Sequence, residues 1–382
     1  MNNLSVAYIS SFAPRVCGIA SFTRDLTEAT GKIPQINSTA VIALNKGKKL
    51  DYGKEVVYSI DDASSLSFKN AAKFLNNSNY NVICLQHEYG LYGGEMGDLI
   101  LDLIKNLKKP LITTFHMISS HPTPYQVHLT REISKKSNFV VPLSEYGKKD
   151  LINIYEIPKE KIRIILHGAP DIKFEKSIIA KKKLGLEKRK VLTSVNILRK
   201  SRGVDFVIKA LPEIVKRFPE VIYLILGTDP DDSPKPNPYR TELENLVSRL
   251  KIKKHVKFEN RYIPLGELID YIKATDIFLT AYLPPEQSSS GSLAYAVVAG
   301  KVCISTPYSY AKLLLANGRG QIVPWKNSRA IAEKAVKLLS SPQKMEMVSK
   351  KAYLYGRKMI WENIAKDYFK LFCLAVNEGI KS

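Results

Sequence analysis

Residues 191–218, VLTSVNILRKSRGVDFVIKALPEIVKRF, contain the repeating unit that decides the fold. The run Val191–Val195 predicts a buried strand, and Val204–Phe218 has the apolar spacing of an amphipathic helix. A short basic turn, Arg199–Gly203, lies between them. A strand that passes through a short turn into a helix is the building block of a parallel sheet wrapped by helices.

Similar units recur along the chain in two series. The first series predicts strands at Ser5–Ser10, Ala40–Leu44, Glu55–Ile60, Asn81–Gln86, Leu111–Phe115, Phe139–Leu143 and Ile162–Leu166, and helices at Ala20–Thr30, Leu66–Leu75, Met96–Leu107, Tyr125–Ser137 and Glu145–Tyr155. The second series predicts further strands at Val221–Leu226, His255–Glu259, Ile277–Thr280, Val302–Ser305 and Gln321–Val323, and helices at Tyr239–Leu250, Leu265–Ala274, Ser292–Ala299 and Ala330–Leu339. We therefore predict an α/β chain with two Rossmann-like, doubly wound domains.

The two series meet in the lysine-rich stretch Asp171–Lys188, and a long helical stretch, Lys344–Leu374, follows the second. We expect domains at 1–172 and 173–355, and we expect residues 356–382 to form a helix that packs back on the first domain. The length of 382 residues suits two cores better than one. Ligands bind outside the carboxyl ends of such strands, so two facing sheets would enclose a cleft.

The composition indicates a folded protein in a reducing setting. Hydrophobic residues make up 45% and charged residues 25%, which is typical of globular domains. The four cysteines are far apart and form no C-x-x-C pair, which argues against a zinc knuckle and a disulfide framework. The sequence predicts no signal peptide and no membrane span, so we expect a cytoplasmic location.

The net charge of +22 is the unusual bulk property. Lysines cluster at Lys46–Lys49, Lys181–Lys190 and Lys251–Lys257. This charge either attracts an anionic partner or simply solvates the surface. Because no nucleic-acid-reading motif accompanies it, nucleic acid is the least favoured anionic partner. Peripheral association with the inner face of an anionic membrane stays open beside a surface that is simply solvated.

Two loops of the second domain favour phosphate binding. The segment Leu283–Ala296 follows a strand and opens a helix with small residues, which makes either an anion seat or an ordinary serine N-cap. The basic loop Arg199–Gly203 could clamp phosphate oxygens. Both loops follow strands of one sheet, so we favour a phosphate site. The polar loop Gly227–Pro238 is either near a nucleotide base or a plain surface loop.

The first domain offers a second group of polar residues past strand ends. Gly18 lies at a strand-to-helix turn, and the segment Gln86–Glu95 combines ionisable, tyrosine and glycine residues. His116 follows the next strand, and His121 lies slightly further on. Because these residues share one sheet edge, we favour a site over core packing. The histidines lack zinc-ligand spacing, and no G-x-S-x-G elbow is present.

Together these segments resemble the family 4 glycosyltransferases of the GT-B fold over essentially the whole chain. The similarity to a microbial subgroup rests on six motifs in order: Pro14–Thr23, His87–Gly94, Thr113–His116, Glu286–Ala296, Ser305–Tyr308 and Gly318–Gly320. Ser144–Gly147 and His167–Asp171 look like the last helix start of the first domain and the interdomain crossing of that family.

The resemblance implies retaining transfer of a hexose, such as mannose or glucose, from a nucleotide-sugar to a glycan or lipid-linked acceptor, without an obligatory metal or other cofactor. It assigns catalytic roles to His116, Arg202 and Glu286. The implied donor and phosphate-binding residues are Gly18, Asn196, Arg199, Lys200, Gln287, Ser289, Ser290, Gly291, Ser292 and Tyr295. The implied acceptor-side residues are His87, Glu88, Tyr89, Gly93 and Gly94.

The chain departs from the family pattern in its donor loops. Arg202 stands where the family has a phosphate-binding lysine, whereas Asn196 occupies the position of its arginine, for which Arg199 is a substitute. The two glutamates of the family align with Gln287 and Tyr295, and Glu286 is one residue out of frame. These departures keep two alternatives open: a sugar phosphorylase that uses phosphate or a sugar 1-phosphate, and an inactive binding subunit of a glycan-assembly complex.

Overall fold

The structure is a computed structural model that describes residues 3–15, 17–47, 50–230 and 233–379. The chain forms two compact units, residues 1–168 with 361–382, and residues 169–360. The expected boundaries after 172 and 355 therefore move to 168 and 360. The reason is a pairing within the second unit, where the Ala169 N–H donates to the Met359 carbonyl at 2.8 Å and the two linking segments run side by side.

The first unit contains a parallel sheet flanked by helices. Its strands are β1 (Leu4–Ser10), β2 (Ile36–Asn45), β3 (Val56–Asp61), β4 (Val82–His87), β5 (Leu111–Phe115) and β6 (Phe139–Pro142). Its helices include α1 (Gly18–Gly31), α2 (Ser65–Asn76), α3 (Ile100–Asn106), α4 (Pro124–Lys136) and α5 (Glu145–Asn153). In the described ranges the strand order is β3-β2-β1-β4-β5-β6. The central strand β1 is buried along its whole length, as a strand covered by helices on both faces must be.

The second unit repeats this arrangement. Its strands are β7 (Lys190–Val195), β8 (Val221–Leu226), β9 (Val256–Glu259), β10 (Ile277–Thr280), β11 (Val302–Ser305) and β12 (Gln321–Ile322). Its helices are α6 (Ser177–Lys183), α7 (Val204–Arg217), α8 (Pro238–Arg249), α9 (Leu265–Ala274), α10 (Gly291–Val298), α11 (Ser309–Leu315), α12 (Ser328–Leu339) and α13 (Pro342–Gly356), counted over the described residues. The strand order of this sheet is β12-β11-β10-β7-β8-β9. If β7 is numbered as the first strand and the sheet is read from the β9 edge, the order is the same as in the first sheet.

The predicted helical stretch Lys344–Leu374 is two helices. A 3₁₀ turn, Arg357–Met359, separates α13 from α14 (Trp361–Gly379), and α14 belongs to the first unit. There the Tyr368 hydroxyl and Thr114 Oγ1 are hydrogen-bonded at 2.8 Å, and Tyr368 is part of a hydrophobic core shared with β1. The apolar face of α14 therefore completes the core of the first sheet.

Two predicted elements were wrong, and two short helices were not predicted. Ile162–Leu166 is no strand but a single bridge between Val140 and Ile162. The helix predicted from Met96 begins only at Ile100, because Met96 and Gly97 have φ values of 55° and 90° that no α-helix contains. The short helices α6 and α11 were not predicted, since seven residues give too little periodicity.

The shared strand order identifies where ligands bind. The order reverses between β1 and β4 in the first unit and between β7 and β10 in the second. In open α/β sheets, ligands bind in the crevice at the carboxyl ends of such strands. The loops after these four strands are the loops that the sequence singles out. Among the described residues, no helix combines the length and apolar character needed to span a bilayer.

Candidate functional site

The loops after β7 and β10 are held against each other in the second unit. The Leu283 N–H donates to the Ser201 carbonyl at 2.9 Å. Gly203 has a φ of 61°, and a Cβ there would lie 2.1 Å from the carbonyl oxygen of Ala281. A side chain at position 203 would therefore separate the loops, so this contact requires glycine.

Arg202 is fixed between these two loops. Its guanidinium lies over the ring of Tyr282, 4.5 Å from the centroid. Its Nη1 donates to Gln287 Oε1 at 3.3 Å, whereas its Nε is buried and has no hydrogen-bond partner among the described residues. Stacking and one amide contact orient the cation without neutralising it.

The N-terminus of α10 lies beside this arginine. Ser290 caps the helix, because its Oγ accepts from the Leu293 N–H at 3.3 Å. Gln287 Nε2 donates to the Ser289 carbonyl at 2.8 Å, and Ser292 Oγ lies 3.3 Å from the Tyr282 hydroxyl. The first turn contains no acidic residue, so its positive dipole end is uncompensated. Gly291 is the first residue of α10, Tyr295 lies one turn further along it, and Glu286 lies in the partly buried loop before it.

Not all predicted donor residues join this group. Asn196 follows β7 directly, is buried, and its Oδ1 has no partner in the part of the chain that the structure describes. Arg199 is exposed, and Lys200 forms an exposed ion pair with Glu242 at 3.0 Å. The 3₁₀ turn directs Lys200 towards α8, and its role in binding donor phosphates stays a prediction.

The loop Gly227–Pro238 lies only partly within the described residues, which exclude 231 and 232. In its described part Asp229 accepts from Arg240 and Asn237 at 2.9 and 3.0 Å. The Asn237 side chain also donates to the Leu198 carbonyl at 3.1 Å. These bonds join the loop to the one after β7 and leave its relation to a base or ribose a prediction.

In the first unit, His87 ends β4 inside the core. Its ring stacks on Tyr92 at 5.9 Å, and both ring nitrogens lack a hydrogen-bond partner in the described ranges. Burial lowers the pKa of His87 to about 3, so the ring is neutral. The Tyr92 hydroxyl donates to the carbonyls of Ile9 and Gln86 at 3.2 and 2.6 Å, which joins the ends of β1 and β4. The His87 side chain is therefore fully buried in the core next to the carboxyl end of β4.

His116 is also buried, but it has polar partners. Its Nε2 lies 2.9 Å from Gln86 Oε1, and its backbone N–H donates to the His87 carbonyl at 2.9 Å. The rings of His116 and His167 pack edge-on against Phe22 of α1, at 4.7 and 5.0 Å. Burial, together with the charges of His167 and His87, lowers the pKa of His116 to about 3. A neutral His116 can donate or accept hydrogen bonds but is not a cation at neutral pH.

The remaining acceptor-side residues divide into two kinds. Glu88 is partly buried, its side chain has no hydrogen-bond partner among the described residues, and burial raises its pKa to about 7. The Tyr89 hydroxyl is bonded to Thr130 Oγ1 at 2.5 Å. Gly93 and Gly94 have positive φ values, and a Cβ would lie 1.6 Å from the Asp62 carbonyl oxygen and 2.0 Å from Asp98 Oδ1, respectively. These two glycines are thus required by the path of the loop itself.

The loop after β1 contains a residue that sequence reasoning missed. Arg15 Nη1 is buried and has no hydrogen-bond partner in the described part of the chain. Gly18 begins α1, is exposed, and a Cβ there would meet nothing within 4 Å. Cys17 caps the helix weakly, with Sγ accepting from the Ala20 N–H at 3.3 Å. In the sequence, Arg15 is the one arginine of the first strand-to-helix turn, and this could have indicated a binding role. The sequence prediction named only Gly18 from this turn. Val16 lies outside the described residues.

No three His, Cys, Asp or Glu side chains in the described ranges are grouped so that they could hold a metal ion. The cysteines Cys17, Cys84, Cys303 and Cys373 are free thiols.

Comparisons with known proteins identify relatives of this chain. Residues 176–355 match the family model described as Glycosyl transferases group 1, so the second unit contains a domain of this group. An uncharacterized glycosyltransferase of Methanocaldococcus jannaschii, MJ1069, is 27% identical over 259 residues, which are 66% of this chain and 62% of the relative. A GDP-mannose-dependent α-(1-6)-phosphatidylinositol monomannoside mannosyltransferase of Mycolicibacterium smegmatis is 32% identical over 98 residues, 26% of this chain and 23% of the relative. The chain thus matches less than two thirds of the length of these relatives.

Solved structures show the same fold. A glycosyltransferase from Rickettsia africae superposes with a TM-score of 0.77 at 16% identity and covers 98% of this chain and 99% of its own. Anabaena Alr3699/HepE in complex with UDP superposes with a TM-score of 0.76 at 14% identity, over 97% and 100%. Sucrose-phosphate synthase from Thermosynechococcus elongatus gives 0.77 at 17% identity, over 97% and 98%. The predicted GT-B fold is confirmed.

Proposed function

We propose that this chain is a retaining, family 4-type glycosyltransferase that transfers a hexose from a nucleotide-sugar to a glycan or lipid-linked acceptor. The observation that carries the proposal is Arg202, held on Tyr282 beside the N-terminus of α10 at the reversal point of a glycosyltransferase group 1 domain. A fixed cation and a positive helix end together suit a diphosphate.

The chemistry requires little from the protein except charge stabilisation. The bond between the sugar C1 and the donor phosphate breaks, a bond from C1 to an acceptor hydroxyl oxygen forms, and the hydroxyl proton is released. Negative charge grows on the departing nucleoside diphosphate, where Arg202 and the free N–H groups of α10 stabilise it. Stabilisation by a fixed cation requires no metal, so we also propose that EDTA leaves the rate unchanged.

The identity of the donor is supported by related proteins. The structures of Anabaena Alr3699/HepE contain UDP, UDP with glucose, and UDP-glucose, and the Mycolicibacterium relative uses GDP-mannose. We therefore propose a UDP- or GDP-linked hexose, glucose or mannose. In this scheme the His116 imidazole contacts the transferred sugar or acceptor, and Glu88, whose carboxyl has no protein partner in the described ranges, binds acceptor hydroxyls.

A sugar phosphorylase is the second candidate. Tyr295 occupies the position at which the resemblance expects a ribose-binding carboxylate, and a phosphorylase would not need that contact. Its site would bind inorganic phosphate where the transferase binds the diphosphate.

Calorimetry with UDP, GDP and inorganic phosphate separates these candidates. Micromolar binding of a nucleoside diphosphate that is lost in Arg202→Ala supports the transferase, and saturable binding of phosphate alone supports the phosphorylase. Failure to bind any of the three would indicate the inactive subunit and refute the proposal. Arg202→Ala should lower kcat by a factor on the order of 100. Arg217→Ala, an exposed arginine at the other end of α7, is the matched control and should retain full activity.

A further inference from the structure

Exposed apolar side chains are concentrated on one part of the second unit. They belong to two segments, residues 173–183, which contain α6, and residues 342–358, which contain α13. The exposed members are Phe174, Ile178, Ile179, Met347 and Leu354. Single exposed apolar residues need no explanation, but five on two adjoining segments do.

The stretch of chain just before α6 lies beside α13. The ring of Phe174 contacts that of Tyr353, with centroids 4.9 Å apart, and the charge of Lys176 acts on the Glu346 carboxyl. The chain therefore runs antiparallel to α13 just before α6 begins. Met347 and Leu354 are seven residues apart, which places them on the same stripe of the helix.

The same two segments are rich in basic residues. The two segments contain ten basic residues and only two acidic ones, Glu175 and Glu346, which gives them a net charge of +8. Four of the basic residues are paired with acids, namely Lys181, Lys183, Lys350 and Arg357. Among the described residues, the other six have no ion-pair partner: Lys173, Lys176, Lys182, Lys344, Lys351 and Lys358. This set and the five apolar residues are called the α6–α13 face below.

The chemistry of this face selects its partner. A second copy of the chain would bring two strongly positive surfaces together and would be repelled. Nucleic acid would satisfy the lysines but would leave aliphatic side chains such as Leu354 against phosphates. Only a lipid surface offers both an anionic layer for the lysines and an apolar layer beneath it for the aliphatic groups.

We propose that the α6–α13 face docks this chain on anionic membranes, with Leu354, Met347, Ile178 and Ile179 entering the headgroup region. This inference assigns a surface to the membrane association expected from the charge and does not rest on transferase activity. No membrane-spanning helix is required, since a few buried side chains and several lysines give reversible binding.

The test is co-sedimentation of the full chain with vesicles, in the absence of donor and acceptor. One set of vesicles contains phosphatidylcholine alone, and the other an equimolar mixture of phosphatidylcholine and phosphatidylglycerol. The test variant is Leu354→Ser/Lys351→Glu. The control is Leu66→Ser/Lys69→Glu on α2, which causes the same charge change and removes an equally exposed leucine, since Leu66 is 65% and Leu354 69% exposed.

We expect the wild-type chain to bind only the anionic vesicles, and salt to weaken this binding. The test variant should bind on the order of 100-fold more weakly, because one apolar insertion is lost and the net charge falls by two units. The control should lose at most about ten-fold from the overall charge. Equal losses in both variants, or no binding by the wild type, would overturn the proposal. So would displacement of the bound chain by a single-stranded oligonucleotide at the same affinity, which would identify a nucleic-acid surface. UDP binding without vesicles is measured for both proteins. Binding by the wild type tests the proposed function, and equal binding by the test variant shows that the variant is folded.

Discussion

Substitution of Gly203 by alanine should separate the two loops that hold Arg202. The residue has a φ of 61°, and its Cβ would lie 2.1 Å from the carbonyl oxygen of Ala281, a distance that real Cβ atoms essentially never show. The left-handed conformation costs a non-glycine residue about 1 kcal/mol. Relief of the overlap moves backbone by about 1 Å and adds about 1–3 kcal/mol, as overpacking does. We expect a total loss of about 2–4 kcal/mol.

Gly185 provides the matched control. It has nearly the same φ, 66°, but a Cβ there would meet nothing within 4 Å. Gly185→Ala should therefore cost only the conformational term, about 1 kcal/mol. The difference between the two variants isolates the loop–loop contact.

Native-state hydrogen exchange of the β7 and β8 amides measures the stability of the second unit by itself. Calorimetry with UDP on the same samples measures the site, and Gly203→Ala should weaken UDP binding at least ten-fold, because the Leu283–Ser201 bond and the Arg202–Tyr282 contact shift together. Equal destabilisation by the two alanines, or unaltered UDP binding in Gly203→Ala, would refute the geometric reasoning.

Three further predictions concern the site. Burial raises the pKa of Glu88 from 4.5 to about 7, so its carboxylate destabilises the first unit increasingly as the pH rises through this range. In urea unfolding, Glu88→Gln should stabilise the chain by about 3 kcal/mol at about pH 8 and by nothing at about pH 4, and a gain at both pH values would contradict the cause. His116→Ala should abolish transfer and leave UDP binding intact, with exposed His128→Ala as control; unchanged transfer rates would make His116 structural. Gln287→Glu should weaken UDP binding at least ten-fold by calorimetry, because the new carboxylate would pair with Arg202, and tighter binding would argue against the charge reasoning.

The fold was predictable because its signal is repeated. Alternating β-branched and amphipathic runs, as in 191–218, mark strands and helices with local information, and right-handed connections restrict the strand orders that a doubly wound sheet can adopt. The failures are local as well. Ile162–Leu166 has the composition of a strand, but it forms only one bridge to the edge strand β6. The apolar pattern of a segment does not show whether it pairs with a neighbouring strand.

The site was predictable at the level of loops and less so at the level of side chains. A sequence shows that His87 and His116 both end strands, but not that His87 is enclosed by aromatic rings while His116 meets Gln86. Lys200 and Arg202 are two residues apart in one turn, and only the path of the 3₁₀ turn shows that one pairs with Glu242 and the other lies on Tyr282. Direction of a side chain depends on tertiary packing, which the sequence does not display.

The departures from the family pattern change the charge of the donor loops. Where the resemblance expects one arginine and two glutamates the chain has Asn196, Gln287 and Tyr295, so one positive and two negative charges are absent. In the structure the Gln287 amide oxygen accepts from Arg202 at 3.3 Å. A glutamate there would form an ion pair with Arg202, and with Asn196 in place of a second cation the pair would leave no net positive charge for a diphosphate. The glutamine keeps the orienting hydrogen bond and leaves the guanidinium charge uncancelled. An uncancelled guanidinium held on Tyr282 in the loop before α10 favours an anion-binding second unit over an inactive one.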